Sequence, residues 1–305
     1  MSFRRQITSS PTPANADATG ACALVRNAIP AILIAAVFTF LASPVVYAAP
    51  GTAGPSIDQR KRIVETTFQS VDATLAGQWD FPDRSPAPLV VIVPSSASLD
   101  RNGWPPAMGE DPDEGIYARL TDTLVQNGFA VFRFDGPGTG RSGRGHYSTD
   151  RSNALEAYTR AVDHARVDPA SVFMLGHSKG STTVATIYGR YKHVLPPAGV
   201  VLVHNSVGEQ MSLQIDAPLL IVNPAKDPDD RYRYGEFVVE ARANKEDRKL
   251  ATELVIVQGA EPGGLAPPDP EHPDTIRMHP KATQAIVDWL RGKHAESVGR
   301  RAATR

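Results

Sequence analysis

The stretch that decides the fold is VFMLGHSKGSTTVATIYGRY, residues 172–191. It begins as an apolar, strand-like run, turns at residues 176–180 (GHSKG) and continues as a helical sequence. A serine between two glycines at such a turn lies on a sharp bend, from which its hydroxyl projects beyond the end of the strand. The segment therefore predicts a nucleophile at Ser178, with the backbone N–H of Lys179 available to an oxyanion at the helix N-terminus. The alternative is a serine that only caps the helix.

Short apolar runs alternate with helical sequences on both sides of this segment, which is typical of a parallel sheet buried on both faces. Strands are predicted at 65–69, 73–79, 89–93, 130–134, 172–175, 199–203, 219–222 and 254–257, and helices at 116–126, 153–165, 178–191, 237–252 and 281–291. The first two strands are joined by a short turn, which indicates an antiparallel start. The expected fold is α/β, with a mainly parallel, doubly wound sheet and little or no lid.

The N-terminal residues have the pattern of a secretory signal peptide, predicted to span residues 1–48. Three arginines precede an apolar run at 28–41, and a small-x-small site ends at Ala48. A membrane anchor that stays attached is the alternative, but the run is short for a bilayer span and contains Pro30. The protein is therefore expected to be secreted or periplasmic, with no stable membrane span after signal cleavage.

Composition is that of an ordinary globular protein with a substantial core, since 41% of the residues are hydrophobic and 21% are charged. A flexible leader is predicted at 49–60, one domain at 61–294 and a frayed polar tail at 295–305. The formal net charge of −1 shows no basic patch for nucleic acid. No His/Cys/Asp cluster has metal-ligand spacing, so neither a metal nor another cofactor is expected.

Two further segments carry a family resemblance. The run at 89–93 is followed by PSSASLDRNG, which holds Asp100, Arg101 and Gly103, and the strand at 130–134 leads into FDGPGTGRSG. Together with GHSKG they resemble the α/β-hydrolase superfamily, and most closely the bacterial esterase and acyl-peptidase-like serine hydrolases. The resemblance implies a small-molecule ester or acyl substrate. It also implies a second oxyanion donor after the third strand, which would be the backbone N–H of Ser96.

The resemblance places the remaining catalytic residues less firmly. The acid is expected just after the strand at 219–222, where Asp227 matches, although a solvated acidic turn has the same appearance. The histidine is expected soon after the last strand, but residues 258–264 read QGAEPGG. His272, in a Pro-rich loop, is the chosen base and His279 is the alternative. The absence of any functional base is also open, since the chain order serine, acid, histidine is the only firm guide.

Two functions from different classes follow. The first is a serine hydrolase that cleaves small or mid-sized esters through an acyl-enzyme at Ser178. The second is a catalytically degenerate fold that serves as a binding or scaffold protein. Pro94-Ser95 stands where relatives have His-Gly, and Pro262 stands near the expected histidine. Among the other histidines, His177 is expected to point into packing. His204 is interpreted as a satisfied residue at the sheet rim, with pocket lining as the alternative.

Overall fold

The apolar runs of the sequence form the centre of an eight-stranded sheet. The structure is a computed structural model, and it describes residues 62–95, 99–103, 115–145, 150–225, 232–245, 251–268, 270 and 276–303. The predicted signal peptide at 1–48 and the leader at 49–60 lie outside the described residues, so both stay predictions.

The elements alternate along the chain as the pattern predicted. The strands are β1 (Ile63–Gln69), β2 (Thr74–Asp80), β3 (Ala87–Val93), β4 (Ala130–Phe134), β5 (Val167–His177), β6 (Gly199–Val203), β7 (Leu219–Pro224) and β8 (Thr252–Val257). The helices are α1 (Ile116–Gln126), α2 (Asp150–Val162), α3 (Lys179–Val194), α4 (Glu209–Ser212), α5 (Tyr232–Ala243) and α6 (Pro280–Ala303).

Strand order is β1-β2-β4-β3-β5-β6-β7-β8. The pairs β1/β2 and β2/β4 are antiparallel, and every later pair is parallel. Helical crossovers allow these strands to run in the same direction, so their carboxyl ends lie at one edge of the sheet. The predicted α/β class, with an antiparallel start and a mainly parallel sheet, is confirmed.

Each face of the sheet has its own apolar core. Leu89, Val91 and Val93 of β3 pack on one side with α2 and α3, while Val90 and Ile92 pack on the other with α1 and α6. The strand is buried throughout, which explains why its sequence is apolar at every position rather than at alternate ones. This double covering leaves the carboxyl edge as the place where polar side chains gather.

The last helix corrects two predictions. It was expected to end at residue 291, with a frayed tail at 295–305, but α6 continues to Ala303. Its second half is held against the start of β5: Ser297 Oγ donates to Ala170 O at 2.7 Å, and Arg301 forms two hydrogen bonds with the Asp168 carboxylate at 2.9 and 2.8 Å. These contacts stabilise a segment whose polar composition had suggested fraying.

Helix α5 also differs from its prediction at 237–252. It spans Tyr232–Ala243, and Thr252 already belongs to β8, where it pairs with Leu219 of β7. Strand pairing therefore overrides the helical spacing at the end of the predicted segment. Among the described residues, no helix has both the length and the apolar character needed to cross a membrane.

Candidate active site

Ser178 lies between β5 and α3, at the carboxyl edge of the sheet. Its backbone has φ 50° and ψ −114°, an uncommon conformation for a residue other than glycine. Two hydrogen bonds fix this conformation: the Ser178 N–H donates to Val203 O at 2.8 Å, and the Ser181 N–H donates to Ser178 O at 2.9 Å. The side chain makes no capping hydrogen bond to α3. The interpretation of Ser178 as an ordinary helix cap therefore has no support.

The flanking glycines are required by close packing. A Cβ on Gly176 would lie 2.7 Å from Gly180 O, and a Cβ on Gly180 would lie 2.3 Å from Val93 O. Both obstructing atoms belong to the backbone, so neither can move aside without shifting a strand or helix. The start of α3 is thereby pressed against the end of β3, beside the segment expected to supply the second oxyanion donor.

The backbone N–H of Lys179 lies in the first turn of α3, where the helix dipole favours negative charge. The Lys179 side chain points to solvent and pairs with Asp150 of α2, with Nζ to Oδ2 at 2.6 Å. A narrow cleft beside this pair has apolar walls that include Val93, Phe134 and Pro137. The backbone can therefore serve an oxyanion while the ammonium group is engaged elsewhere.

A buried hydrogen-bonded chain passes beside the serine. The Ser95 N–H donates to Tyr117 Oη at 2.7 Å, Tyr117 Oη lies 2.9 Å from His177 Nδ1, and His177 Nε2 lies 2.8 Å from Gly263 O. A carbonyl oxygen only accepts, so Nε2 carries the proton and Nδ1 accepts from the tyrosine hydroxyl. Ser95 therefore offers no free N–H to an oxyanion. Ser96, the predicted donor, lies outside the described residues and stays a prediction.

Burial keeps the Tyr117 and His177 side chains uncharged. It lowers the pKa of His177 to about 4 and raises the pKa of Tyr117 to about 12, so both side chains are neutral near pH 7. Both ring nitrogens of His177 are engaged, so this residue has no nitrogen left for a proton from Ser178. From the sequence, His177 was expected to point into packing. Tyr117 was not identified, because nothing in the sequence of α1 indicates a contact with residue 177.

A tight glycine turn occupies the segment after β8 where the family resemblance expected a histidine. The Glu261 N–H donates to Leu265 O at 3.0 Å and the Gly264 N–H to Glu261 O at 3.1 Å, while Gly263 and Gly264 both have positive φ. A Cβ on Gly264 would lie 3.2 Å from Val203 Cγ1. The turn therefore packs onto the end of β6, next to the strand that carries Ser178.

The predicted acid and base are not placed by the structure. Asp227 and His272 lie outside the described residues, and both roles stay predictions. His279 is described, at the start of α6: its Nδ1 accepts from the Lys281 N–H at 3.2 Å, and its own N–H donates to Gly264 O at 2.9 Å. These contacts give His279 a part in holding the helix start to the glycine turn.

His204 follows β6 at the same edge. With Ser178 it is one of two described non-glycine residues with positive φ, here 52°. His177 and Val203 are register partners in the neighbouring strands β5 and β6. Ser178 and His204, the residues that come directly after them, therefore occupy matching positions at the carboxyl edge of the sheet. His204 is buried, which agrees with a rim histidine rather than an exposed one. Local strain is thus concentrated where the nucleophile is expected.

The two outer motifs of the family resemblance meet in a buried ion pair. Arg101 Nη2 lies 2.7 Å from Asp135 Oδ2, and the Arg101 and Arg141 backbone N–H groups also donate to this carboxylate, at 2.8 and 2.9 Å. Ser142 Oγ donates to Asp135 O at 2.9 Å. The pair joins the 99–103 turn to the 135–143 turn, which gives these motifs a structural role.

In the part of the chain that the structure describes, no group of three or more His, Cys, Asp or Glu side chains is arranged to hold a metal ion. The described site therefore consists of a strained serine, helix N–H groups and a neutral hydrogen-bonded chain.

Comparisons with known proteins agree with this architecture. A family model described as serine aminopeptidase, S33, matches residues 112–227. A dienelactone hydrolase-like promiscuous phosphotriesterase from metagenomic libraries is 15% identical, with a TM-score of 0.52 over 76% of this chain and 99% of that chain. Est1E from Butyrivibrio proteoclasticus, solved with ferulic acid bound, is 13% identical, with a TM-score of 0.54 over 77% and 99%.

A putative α/β hydrolase of unknown function from Agrobacterium tumefaciens is 18% identical, with a TM-score of 0.51 over 79% of this chain and 98% of that chain. No curated protein sequence matches the chain. The strand order, the bend at Ser178 and these structural matches show that the protein has the α/β-hydrolase fold. The expected resemblance to α/β hydrolases is therefore confirmed for the fold, and a family model for S33 hydrolases matches the segment from residue 112 to residue 227.

Proposed function

We propose that the protein is an exported serine hydrolase that cleaves small or mid-sized carboxylic esters through an acyl-enzyme at Ser178. The observation that carries the proposal is the conformation of Ser178: a non-glycine residue at φ 50°, between close-packed glycines, whose hydroxyl does not cap the helix that follows it. Strain of this kind at a helix start is the arrangement that presents a nucleophile and an oxyanion donor together.

In the proposed reaction, Ser178 Oγ attacks the acyl carbon while His272 accepts its proton and Asp227 orients the imidazole. The carbonyl oxygen becomes an oxyanion, held by the N–H groups of Lys179 and Ser96. The C–O bond then breaks, and the protonated histidine returns the proton to the leaving alcohol. Water repeats the sequence on the acyl-enzyme and releases the carboxylic acid. His279 is the alternative base.

Two observations support an ester as the substrate. The engaged N–H of Ser95 leaves the next residue, Ser96, as the donor expected from this loop. Est1E, which shares the fold, binds ferulic acid, and a carboxylic acid is the product of ester hydrolysis. The arginines, apolar run and small-x-small site within residues 1–48 support export.

A second candidate is a hydrolase fold without catalysis that acts as a binding or scaffold protein. The observation that favours it is the glycine turn after β8, which fills the segment where the resemblance expected the base. The two candidates differ in one property, the reactivity of the Ser178 hydroxyl, because only an activated serine reacts rapidly with an electrophile.

Fluorophosphonate labelling of the purified protein tests this property, with the adduct mapped by mass spectrometry. We expect labelling at Ser178, its loss in Ser178→Ala, and unchanged labelling in Ser206→Ala, which removes an exposed serine hydroxyl near the site. His272→Ala should slow labelling by about 100-fold or more, and His279→Ala should not, if His272 is the base. A folded protein that is not labelled would refute the enzyme and favour the binding protein.

A further inference from the structure

Three hydrogen bonds connect Ser95, Tyr117, His177 and Gly263 in sequence, and we call this arrangement the Tyr117–His177 brace. Tyr117 and His177 are 1% and 5% exposed. Each of the three hydrogen bonds has good length, and their polarity is fixed from one end by the Gly263 carbonyl. Because the two central side chains are buried, water cannot easily replace the partners of the Tyr117 hydroxyl and the His177 ring, which favours a fixed geometry.

The brace joins three segments that surround Ser178. Ser95 follows β3, His177 is the residue before the nucleophile, and Gly263 lies in the turn after β8. Among the described residues, no backbone–backbone hydrogen bond links Ser95 or the 261–265 turn to the GHSKG segment. The imidazole ring and the phenol therefore supply the polar connection between these three loops.

We infer that Tyr117 and His177 are positioning residues, which hold the oxyanion loop after β3 and the turn after β8 in register with Ser178. The inference rests on the proposed function, since it concerns the geometry of the same reaction. Neither residue touches the reacting atoms. Their effect passes through the Ser95 N–H, which anchors the loop that carries the expected oxyanion donor.

The inference makes a kinetic distinction. Oxyanion donors act on charge that develops in the transition state, so a displaced loop should lower kcat with little change in KM. Removing the Tyr117 hydroxyl leaves the Ser95 N–H without its acceptor and His177 Nδ1 without its donor, while the ring still fills its space. A displacement of about 1 Å in a catalytic group costs up to about 100-fold in rate. We therefore expect Tyr117→Phe to lower the acylation rate by about 10-fold to 100-fold.

The matched control is Tyr158→Phe. Tyr158 is also buried, and its hydroxyl donates to Leu195 O at 2.7 Å, in the packing between α2 and the end of α3. Both substitutions remove a buried tyrosine hydroxyl that makes a backbone contact, so a purely structural role predicts similar effects. Rates of fluorophosphonate labelling, kcat and KM for p-nitrophenyl acetate, and melting temperatures are measured for both variants and the unsubstituted protein.

The expected result is slower labelling and lower kcat in Tyr117→Phe, with KM within about twofold, and unchanged labelling in Tyr158→Phe. Equal labelling in both variants would overturn the inference and leave the proposed function intact. Failure to label the unsubstituted protein would overturn both.

A second pair of variants covers the case in which Tyr117→Phe does not fold. His177→Asn places an amide oxygen near the former Nδ1, where it can still accept from Tyr117, whereas His177→Leu removes both hydrogen bonds. We expect the labelling rate to fall in the order unsubstituted protein, His177→Asn, His177→Leu. Equal rates in the two His177 variants would count against the brace.

Discussion

Breaking the Arg101–Asp135 ion pair should destabilise the protein far more than breaking an exposed pair of the same geometry. The Arg101 and Asp135 side chains are only 8% and 1% exposed. The carboxylate accepts two hydrogen bonds from the guanidinium and two more from the backbone N–H groups of Arg101 and Arg141. Asp135→Ala removes this acceptor and leaves a guanidinium buried without its counter-charge.

Removing one partner of a buried ion pair costs about 3–5 kcal/mol. In a domain of this size each kcal/mol lowers the melting temperature by about 2–4 °C. Asp135→Ala should therefore lower the melting temperature by about 6–20 °C. The double variant Arg101→Met/Asp135→Asn removes both charges but keeps an amide oxygen that can accept from the backbone N–H groups, and it should recover most of the loss.

The control is the Arg62–Asp83 pair, which is also bidentate but whose side chains are 64% and 85% exposed. Exposed pairs contribute about 0–1 kcal/mol, so Asp83→Ala should lower the melting temperature by no more than about 4 °C. Thermal unfolding is followed by circular dichroism in the same buffer for all variants. Similar melting temperatures for Asp135→Ala and Asp83→Ala would refute the argument that burial makes the difference.

Two further predictions concern the residues around Ser178. Gly180→Ala should destabilise the protein strongly, because its Cβ would lie 2.3 Å from a strand carbonyl oxygen. Gly189→Ala in the same helix is the control, because its Cβ would meet no atom within 4 Å. We expect Gly189→Ala to raise the free energy of unfolding in urea by about 0.5–1 kcal/mol. The neutral state of His177 predicts that unfolding becomes easier as pH falls from about 6.5 to about 4, because the unfolded chain takes up the proton first, with a total loss of about 3 kcal/mol. His177→Asn should lose that part of the pH dependence, and an unchanged pH profile would contradict the assignment.

The centre of the fold could be predicted from the sequence because its strands are buried on both faces. The strands Ala130–Phe134 and Gly199–Val203 match their predicted bounds, since a short run of apolar residues between turns is typical of a strand that is covered on both faces. Helix ends were predicted less well. The second half of α6 reads as polar sequence and contains Gly292 and Gly299, and its order comes from Asp168 and Ser171, which lie more than a hundred residues earlier.

The site divides in the same way between local and distant signals. The GHSKG bend could be found because its geometry depends on neighbours within a few residues and on glycines that the sequence displays. The acid and base depend on long loops, so Asp227 and His272 rest on chain order and resemblance alone. Tyr117 was missed for a similar reason. Its hydrogen-bond partners Ser95 and His177 are distant in sequence, and no residue near position 117 indicates either contact.

The strain at the carboxyl edge bears on the choice between enzyme and scaffold. Ser178 and His204 both hold positive φ, a conformation that costs on the order of 1–3 kcal/mol for a residue other than glycine. A fold that only binds a partner gains nothing from a serine in that conformation, and glycine would relieve the strain at either position. A hydrolase, in contrast, needs the Ser178 hydroxyl at that bend. The strained Ser178, held by the Val203 carbonyl and unused as a helix cap, is therefore the described feature that most supports the proposed catalysis.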